Sequence, residues 1–354
     1  MKIVVICGMS DEKARARLLP LVKLKAVDQI ILIRRSALEM EKVMVLSPPK
    51  LMRWSLLLSE IYRFLMLFAA CIKHKPACVY AIYFVPHGIY AALIGSLLNI
   101  PVIQELIGTD RPKVAHSKWY QKLLSQAEYI GVRGSESLES LSSLDIPREK
   151  FFISNAVNVL DFDLFKPDQA SKKFDLIYCG YLDQNKQINL LIDAVNDYNR
   201  KTRHCIKVGL VGDGPQRDCL ERQAADLGLS DHIDFVGRQP YQAISAFLNQ
   251  SRLFVMTSAF EGLPVAMLEA LSCELPVIVP NVGDISDVAR HGYNAWLINE
   301  TSREAYVRAF SEILDNAETY ERLVDGAKAT RQRFLAEYTL EKSMDTWKAM
   351  LDFD

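Results

Sequence analysis

No apolar run in this 354-residue sequence is long enough to cross a bilayer. The most apolar stretch, 53–75, has at most nine uninterrupted apolar residues, Phe64–Ile72, where a span needs roughly 20. The opening MKIVVICGMSDEK turns charged after a short apolar run and has no small-residue cleavage site, so it reads as a first strand and not as a signal peptide. The seven cysteines include no C-x-x-C pair, and the six histidines no H-x-x-x-H or H-E-x-x-H. That argues against a zinc site, a metal hydrolase or a disulfide frame, and fits reduced, buried thiols in a cytosolic protein. Neither sign of charge dominates: 42 Lys and Arg face 43 Asp and Glu, so no global field recruits nucleic acid or an anionic membrane. Arg34–Arg35 and Lys73–Lys75 are local basic spots, read as solvated surface. Short repeats and low-complexity tracts are also missing.

What is present is a chain of short β-rich runs alternating with helical patterns. KIVVICG, QIILIRR, KVMVLS, CVYAIYF, PVIQELI, YIGVR and FFISNA fall in the first half. FDLIYCG, IKVGLVG, IDFVG, LFVMTS, PVIVPN and AWLIN fall in the second. Most are continuously apolar, as parallel strands covered on both faces must be. The segments between them are mostly long enough for crossover helices. The series starts twice, at Lys2 and at Phe174, with a polar linker near 163–173. This predicts an α/β protein of two doubly wound, Rossmann-like domains facing across a cleft: 1–165, then 166–335, with a helix over 336–354 packing back on the first. The apolar stretch 53–75 is read as a core helix. An interfacial helix flanked by Arg53, Arg63, Lys73 and Lys75 is the alternative.

Glu261 and Glu269, in EGLPVAMLEALSCELPVIVPNVGD, carry the clearest chemical signal. Pro264 suits the first turn of a helix, which places Glu261 in the loop before it and Glu269 one to two turns in, among apolar neighbours. A buried carboxylate needs partners. A salt bridge would serve, and so would ligand hydroxyls such as a ribose diol. Backbone N–H groups at the start of this helix suit anions or sugar oxygens. Gly212-Asp213-Gly214 forms a glycine-rich turn after a strand, and Lys186, six residues after Gly180, can neutralise a diphosphate as a point charge. His87 follows a strand at the end where α/β sites form, and is a candidate for holding an acceptor or for capping a helix.

In this order and spacing, these elements resemble the second domain of the retaining glycosyltransferases of family GT4, glycosyl transferases group 1, which have the GT-B fold. The resemblance is strongest from Phe174 to about Asn299. It is weaker in the first half, through HGIYAALIGSLLNIPVI and KFFISNAVNVLDFDLFKPD. It implies that Glu261 supports charge at the donor's anomeric carbon, and that backbone around Gly262, Leu263, Pro264 and Val265 holds sugar and phosphate. It also implies that Glu269 binds the ribose and that Lys186 stabilises the leaving diphosphate. The base would lie near Gly212 and Arg238.

Four departures stand out, the first being Gly283-Asp284 where the family has a glycine pair before its helix. Tyr181 follows Gly180 where the family usually has arginine. A single Gly8 stands where many members have a pair. Ile107 replaces a common histidine, which leaves Glu105 and Asp110 as acceptor-side candidates or plain loop acids. The resemblance implies transfer of a sugar from a nucleotide diphosphate, UDP in preference to GDP, to a hydroxyl of a glycan or lipid-linked acceptor in cell-surface polysaccharide synthesis. No cofactor or metal is expected. The location expected is cytoplasmic; on the interfacial reading of 53–75, that stretch makes a peripheral contact with the inner membrane. A non-catalytic partner subunit that keeps the fold and binds a nucleotide sugar or another transferase is the alternative.

Overall fold

The computed structural model describes residues 1–49, 55–108, 110–154, 160–202 and 205–352. Arg53 of the apolar stretch and residues 155–159 of the exit segment lie outside them. The chain divides into two compact units, one of Met1–Val159 with Tyr338–Asp354 and one of Leu160–Glu337.

The first unit holds a seven-stranded parallel sheet: β1 (Lys2–Ile6), β2 (Gln29–Ile33), β3 (Val43–Leu46), β4 (Cys78–Ile82), β5 (Val102–Glu105), β6 (Tyr129–Val132) and β7 (Phe151–Ile153). Their order is β3-β2-β1-β4-β5-β6-β7. The second holds six: β8 (Phe174–Cys179), β9 (Val208–Val211), β10 (Ile233–Gly237), β11 (Ser251–Val255), β12 (Val277–Pro280) and β13 (Ala295–Ile298), ordered β10-β9-β8-β11-β12-β13. These are the strands the apolar runs predict, and every pairing is parallel.

β1 shows why the runs are unbroken. Ile3 and Val5 pack with Leu18, Tyr80 and Trp347 on one face of the sheet, while Val4 and Ile6 pack with Leu67, Val79 and Ile94 on the other. With both faces covered, alternation has nothing to mark. The helix Leu340–Leu351 lies against the helix Asp11–Lys23, and Trp347 meets Tyr80 edge-on with ring centroids 4.8 Å apart. In the second unit the equivalent core runs from Leu176 and Tyr178 through Ile192, Leu253 and Phe310.

Three surface and core expectations need correction. The apolar stretch forms a helix, Leu56–His74, but it is no core helix: Ser59, Arg63, Leu67, Ala70 and Cys71 face inward, while Leu57, Ile61, Leu65 and Ile72 stay exposed. Arg34 is not solvated: it is buried and donates to the Met9 carbonyl (3.0 Å) and the Asp11 carboxylate (2.6 Å). Five of the cysteines are buried, but Cys205 and Cys219 are exposed. Among the described residues no helix is long and apolar enough to cross a membrane.

In each sheet the chain reverses its direction of growth once. In the first, β1, β2 and β3 step one way and β4 returns beside β1. In the second, β8, β9 and β10 step one way and β11 returns beside β8. Loops leaving the carboxyl ends of two such neighbours splay apart and open a crevice. The candidate sites are therefore the loops after β8 and β11, and those after β1 and β4.

Candidate active site

The loop after β8 carries Gly180, Tyr181 and Lys186, and the loop after β11 carries Glu261. Short-range chemistry shapes each. Asp183 caps the tight turn Gln184–Lys186 by accepting from the Lys186 N–H (3.2 Å), and Gln187 then turns left-handed at φ +48°. Side chains stitch the two loops together. The Thr257 hydroxyl donates to the Lys186 carbonyl (2.7 Å), the Asn185 amide donates to the Phe260 carbonyl (2.9 Å), and the Ala259 N–H donates to the Asn185 carbonyl (2.8 Å). The outcome is an ion pair across the crevice: Lys186 Nζ lies 2.6 Å from Glu261 Oε1, both groups largely but not fully buried. At that length and degree of burial it is a charge-assisted hydrogen bond, stronger than a surface pair.

Pro264 precedes the helix Val265–Ser272, whose N-terminus has no side-chain cap. Its positive end therefore stays available to an anion. Glu269 is on this helix, only 6% exposed, among Met267, Leu268, Ala270 and Leu271. It lies close to the end of β8. Behind the dominant effect of burial, its charge helps push the thiols of Cys179 and Cys273 up, Cys273 to about 12.

The glycine-rich turns bring the remaining loops into contact. Gly212 has φ +144° and a Cβ there would run into the Gly180 carbonyl. Gly214 packs on the Leu182 backbone in the same way, and Leu182 N–H donates to the Asp213 carbonyl (3.0 Å). Gly212 N–H donates to the Gly237 carbonyl (2.9 Å), so exposed Arg238 borders the same edge. Gly283, at φ +58°, lies against the Glu261 carbonyl, and the Asp284 N–H donates to the Gly262 carbonyl (3.2 Å). The Gly-Asp pair after β12 thus braces the turn that holds Glu261 and Gly262, ahead of Leu263, Pro264 and Val265. Tyr181 is 59% exposed, its carbonyl accepting from the Tyr178 hydroxyl (2.9 Å). Asp183, Asn185 and Thr257 are the residues that the sequence reading missed. Their only signal is a small polar side chain next to a strand end, which is common in loops.

In the first unit, Gly8 follows β1 and His87 follows β4. The ring explains the lone glycine: a Cβ at position 8 would come within 3.2 Å of His87 Cε1. His87 Nδ1 lies 2.8 Å from the Ile82 carbonyl. A carbonyl only accepts, so Nδ1 carries the proton and Nε2 keeps a lone pair. Burial, helped by the Arg63 charge, lowers the His87 pKa to about 3. The neutral ring can accept a hydrogen bond but is a poor base.

Glu105 and Asp110 do not stand as acceptor candidates. Glu105 is fully buried, taking an ion pair from Arg17 and a hydrogen bond from the Tyr80 hydroxyl (2.8 Å). Asp110 is buried too. Its carboxylate accepts from the N–H groups of Phe84 (2.7 Å), Val85 (3.3 Å) and Ile107 (3.2 Å). Burial raises its pKa despite those bonds. One carboxylate ties α to β layers and the other shapes the loop that holds His87. Each has spent its lone pairs on the fold.

Residues 161–330 match the model of the glycosyl transferases group 1 family. An uncharacterized glycosyltransferase of Methanocaldococcus jannaschii is 24% identical over 259 residues, covering 72% of this chain and 70% of its own length. The amylovoran biosynthesis glycosyltransferase AmsK of Erwinia amylovora is 24% identical over 257 residues, 68% of this chain and 63% of its own length. The chain thus spans about two thirds of these relatives. Among solved structures, Anabaena HepE in complex with UDP and glucose superposes over 100% of both chains, with a TM-score of 0.79 at 17% identity.

Proposed function

We propose, for a chain that belongs to the glycosyl transferases group 1 family and carries the GT-B fold, that it moves a sugar from a UDP-linked donor to a hydroxyl of a glycan or lipid-linked acceptor. The observation that carries this reading is the Lys186–Glu261 pair, 2.6 Å long, at the crevice between β8 and β11. A cation, a carboxylate and an uncapped helix end meet there, with Glu269 set one turn further along.

In this reading each group meets one part of a nucleotide sugar. Glu269 accepts hydrogen bonds from the ribose hydroxyls. The diphosphate draws Lys186 Nζ toward its own oxygens and takes the N–H groups at the start of the helix Val265–Ser272. Glu261 then turns its carboxylate to the sugar, where positive charge grows at the anomeric carbon. The bond from that carbon to the phosphate oxygen breaks with both electrons going to the phosphate. The acceptor oxygen bonds the same face, and its proton passes to the departing phosphate oxygen. Anomeric configuration is retained and no separate base is required. His87 Nε2, as a neutral acceptor beside Gly8, is suited to hold a hydroxyl in place and not to deprotonate it.

The relatives support the setting. AmsK acts in amylovoran biosynthesis, and the HepE structure holds UDP and glucose. The test is UDP release from UDP-glucose, with and without a cell-envelope extract as the source of acceptor. Glu261→Ala should cut the release that the wild-type chain supports by about 100-fold or more. Equal release from both proteins would sink the catalytic reading. UDP binding without any release would favour the non-catalytic partner instead.

A further inference from the structure

Arg34 and Arg63 are buried at the carboxyl end of the first unit's sheet, and neither has used all its N–H groups. Arg34 follows β2 and is 3% exposed, and Arg63 reaches in from the helix Leu56–His74 and is 2% exposed. Both grip the loop after β1. Arg34 Nη2 donates to the Met9 carbonyl (3.0 Å), and Arg63 Nη2 donates to the Cys7 carbonyl (2.7 Å). Gly8 lies between those two carbonyls, with the His87 ring against it. Burial raises the Cys7 pKa, and the charges of Arg34 and Arg63 oppose the rise. Yet Nη1 of Arg34 and Nε of Arg63 are sealed from water without a hydrogen-bond partner. Buried donors in a native fold are nearly always satisfied, so two beside one loop call for an explanation.

The pairing of Arg34 is incomplete in a second way. Its carboxylate partner, Asp11, meets Nη2 alone at 2.6 Å and is 50% exposed. A guanidinium presents a planar fork that fits a carboxylate or phosphate with two parallel N–H bonds. Here one prong is used and the other is empty. A one-sided contact with a half-exposed acid repays little of what it costs to bury the charge. Asp11 also opens the helix Asp11–Lys23, whose N-cap residue Ser10 makes no side-chain cap. The positive end of that helix therefore favours an anion at the same spot.

We propose that the acceptor sugar carries an anionic group, a carboxylate or a phosphate, which displaces Asp11 and takes both prongs of Arg34 while a hydroxyl of the same sugar meets His87 Nε2 beside Gly8. Asp11, already half in water, turns outward. Arg63 adds a second positive charge on the other flank of Gly8. A neutral sugar is a poorer match, because a single hydroxyl oxygen cannot take two parallel N–H bonds as a carboxylate edge does. The inference rests on the reading of the chain as a transferase whose acceptor hydroxyl meets His87, and it names the class of that acceptor. It uses no residue of the donor crevice between β8 and β11.

The experiment is calorimetric titration of the full chain, with and without UDP, by methyl glycosides of glucose, galactose and mannose, each as the neutral sugar, the uronate and the 6-phosphate. At least one anionic form should bind about tenfold or more tighter than its neutral parent. Whether it is the uronate or the phosphate identifies the source of the charge. Arg34→Gln should erase the preference, and Arg34→Lys, which keeps the charge without the fork, should restore only part of it. Asp11→Asn removes the competing carboxylate and should tighten the anionic sugar several-fold, an effect that a purely structural ion pair would not give. Neutral and anionic sugars binding alike to a chain that binds UDP would overturn the acceptor class and leave the transferase reading standing. An Arg34→Gln variant that loses UDP as much as the anionic sugar would put the arginine on the donor's phosphates and overturn it too. So would weaker binding of the anionic sugar by Asp11→Asn.

Discussion

Lys186 and Glu261 are 75 residues apart in sequence and 2.6 Å apart in the fold. Each group is held by its own loop, and Thr257 and Asn185 tie those loops together. The pair should therefore act as a unit. Lys186→Met and Glu261→Ala should each lower kcat by about 100- to 1,000-fold, the range for losing one group that meets developing charge. The double variant should be little worse than the poorer single one. Steady-state rates of UDP release check this. Fully additive losses would mean that the two side chains act on separate steps.

Glu269 should recognise the ribose and nothing else of the donor. Glu269→Gln is expected to weaken UDP binding by about tenfold or more, as losing a charged hydrogen-bond acceptor does. The same substitution should change little when the nucleotide is 2′,3′-dideoxy-UDP, because the hydroxyls are then already gone. Calorimetry on both proteins with both nucleotides closes the cycle. An equal loss with either nucleotide would give Glu269 a structural role in the helix instead.

Tyr181 stands exposed at the mouth of the crevice where the family pattern has a cation. Tyr181→Arg should tighten UDP binding several-fold at low salt, with the gain fading as ionic strength rises. Its exposure makes the change tolerable to the fold. Binding titrations at two salt concentrations test this, and a weakened affinity would mean that the phenol itself contacts the donor.

His87 gives the first unit a pH signature. Folded, its ring takes a proton only near pH 3, against an ordinary value of 6.5. The unfolded chain therefore binds the extra proton first. Stability from this residue is whole above pH 6.5 and declines below it, by about 1.4 kcal/mol per pH unit down to the folded pKa. Urea unfolding at pH 7 and pH 5 should differ by about 2 kcal/mol from this source. His87→Gln should remove that part of the difference, although it costs stability at both pH values.

The sheet strands were legible because a strand buried on both faces has no choice but to be apolar throughout, as Ile3–Ile6 and Leu253–Val255 are. Glu269 and the Gly212 turn were legible because each violates local expectation, a charge in an apolar helix and a glycine cluster after a strand, and Glu261 because it stands in the loop just before that helix. The contact between Lys186 and Glu261 was not, since nothing in either local sequence encodes a partner 75 residues away. Glu105 misled for the reverse reason. An acid at a strand end resembles a site residue until the structure reveals Arg17 and Tyr80 around it. Arg34 looked like surface because its partners, Met9 and Asp11, come from the neighbouring strand's loop. Its burial could not be read from the Arg-Arg pair alone.

Calorimetric titration of UDP-glucose into the wild-type chain and into a Lys186→Met, Glu269→Gln variant tests the donor crevice most directly. The account expects one saturable site in the wild type and a loss of about a hundredfold or more in the variant. Identical isotherms for the two proteins, or no binding of any UDP- or GDP-sugar to the wild type, would contradict it.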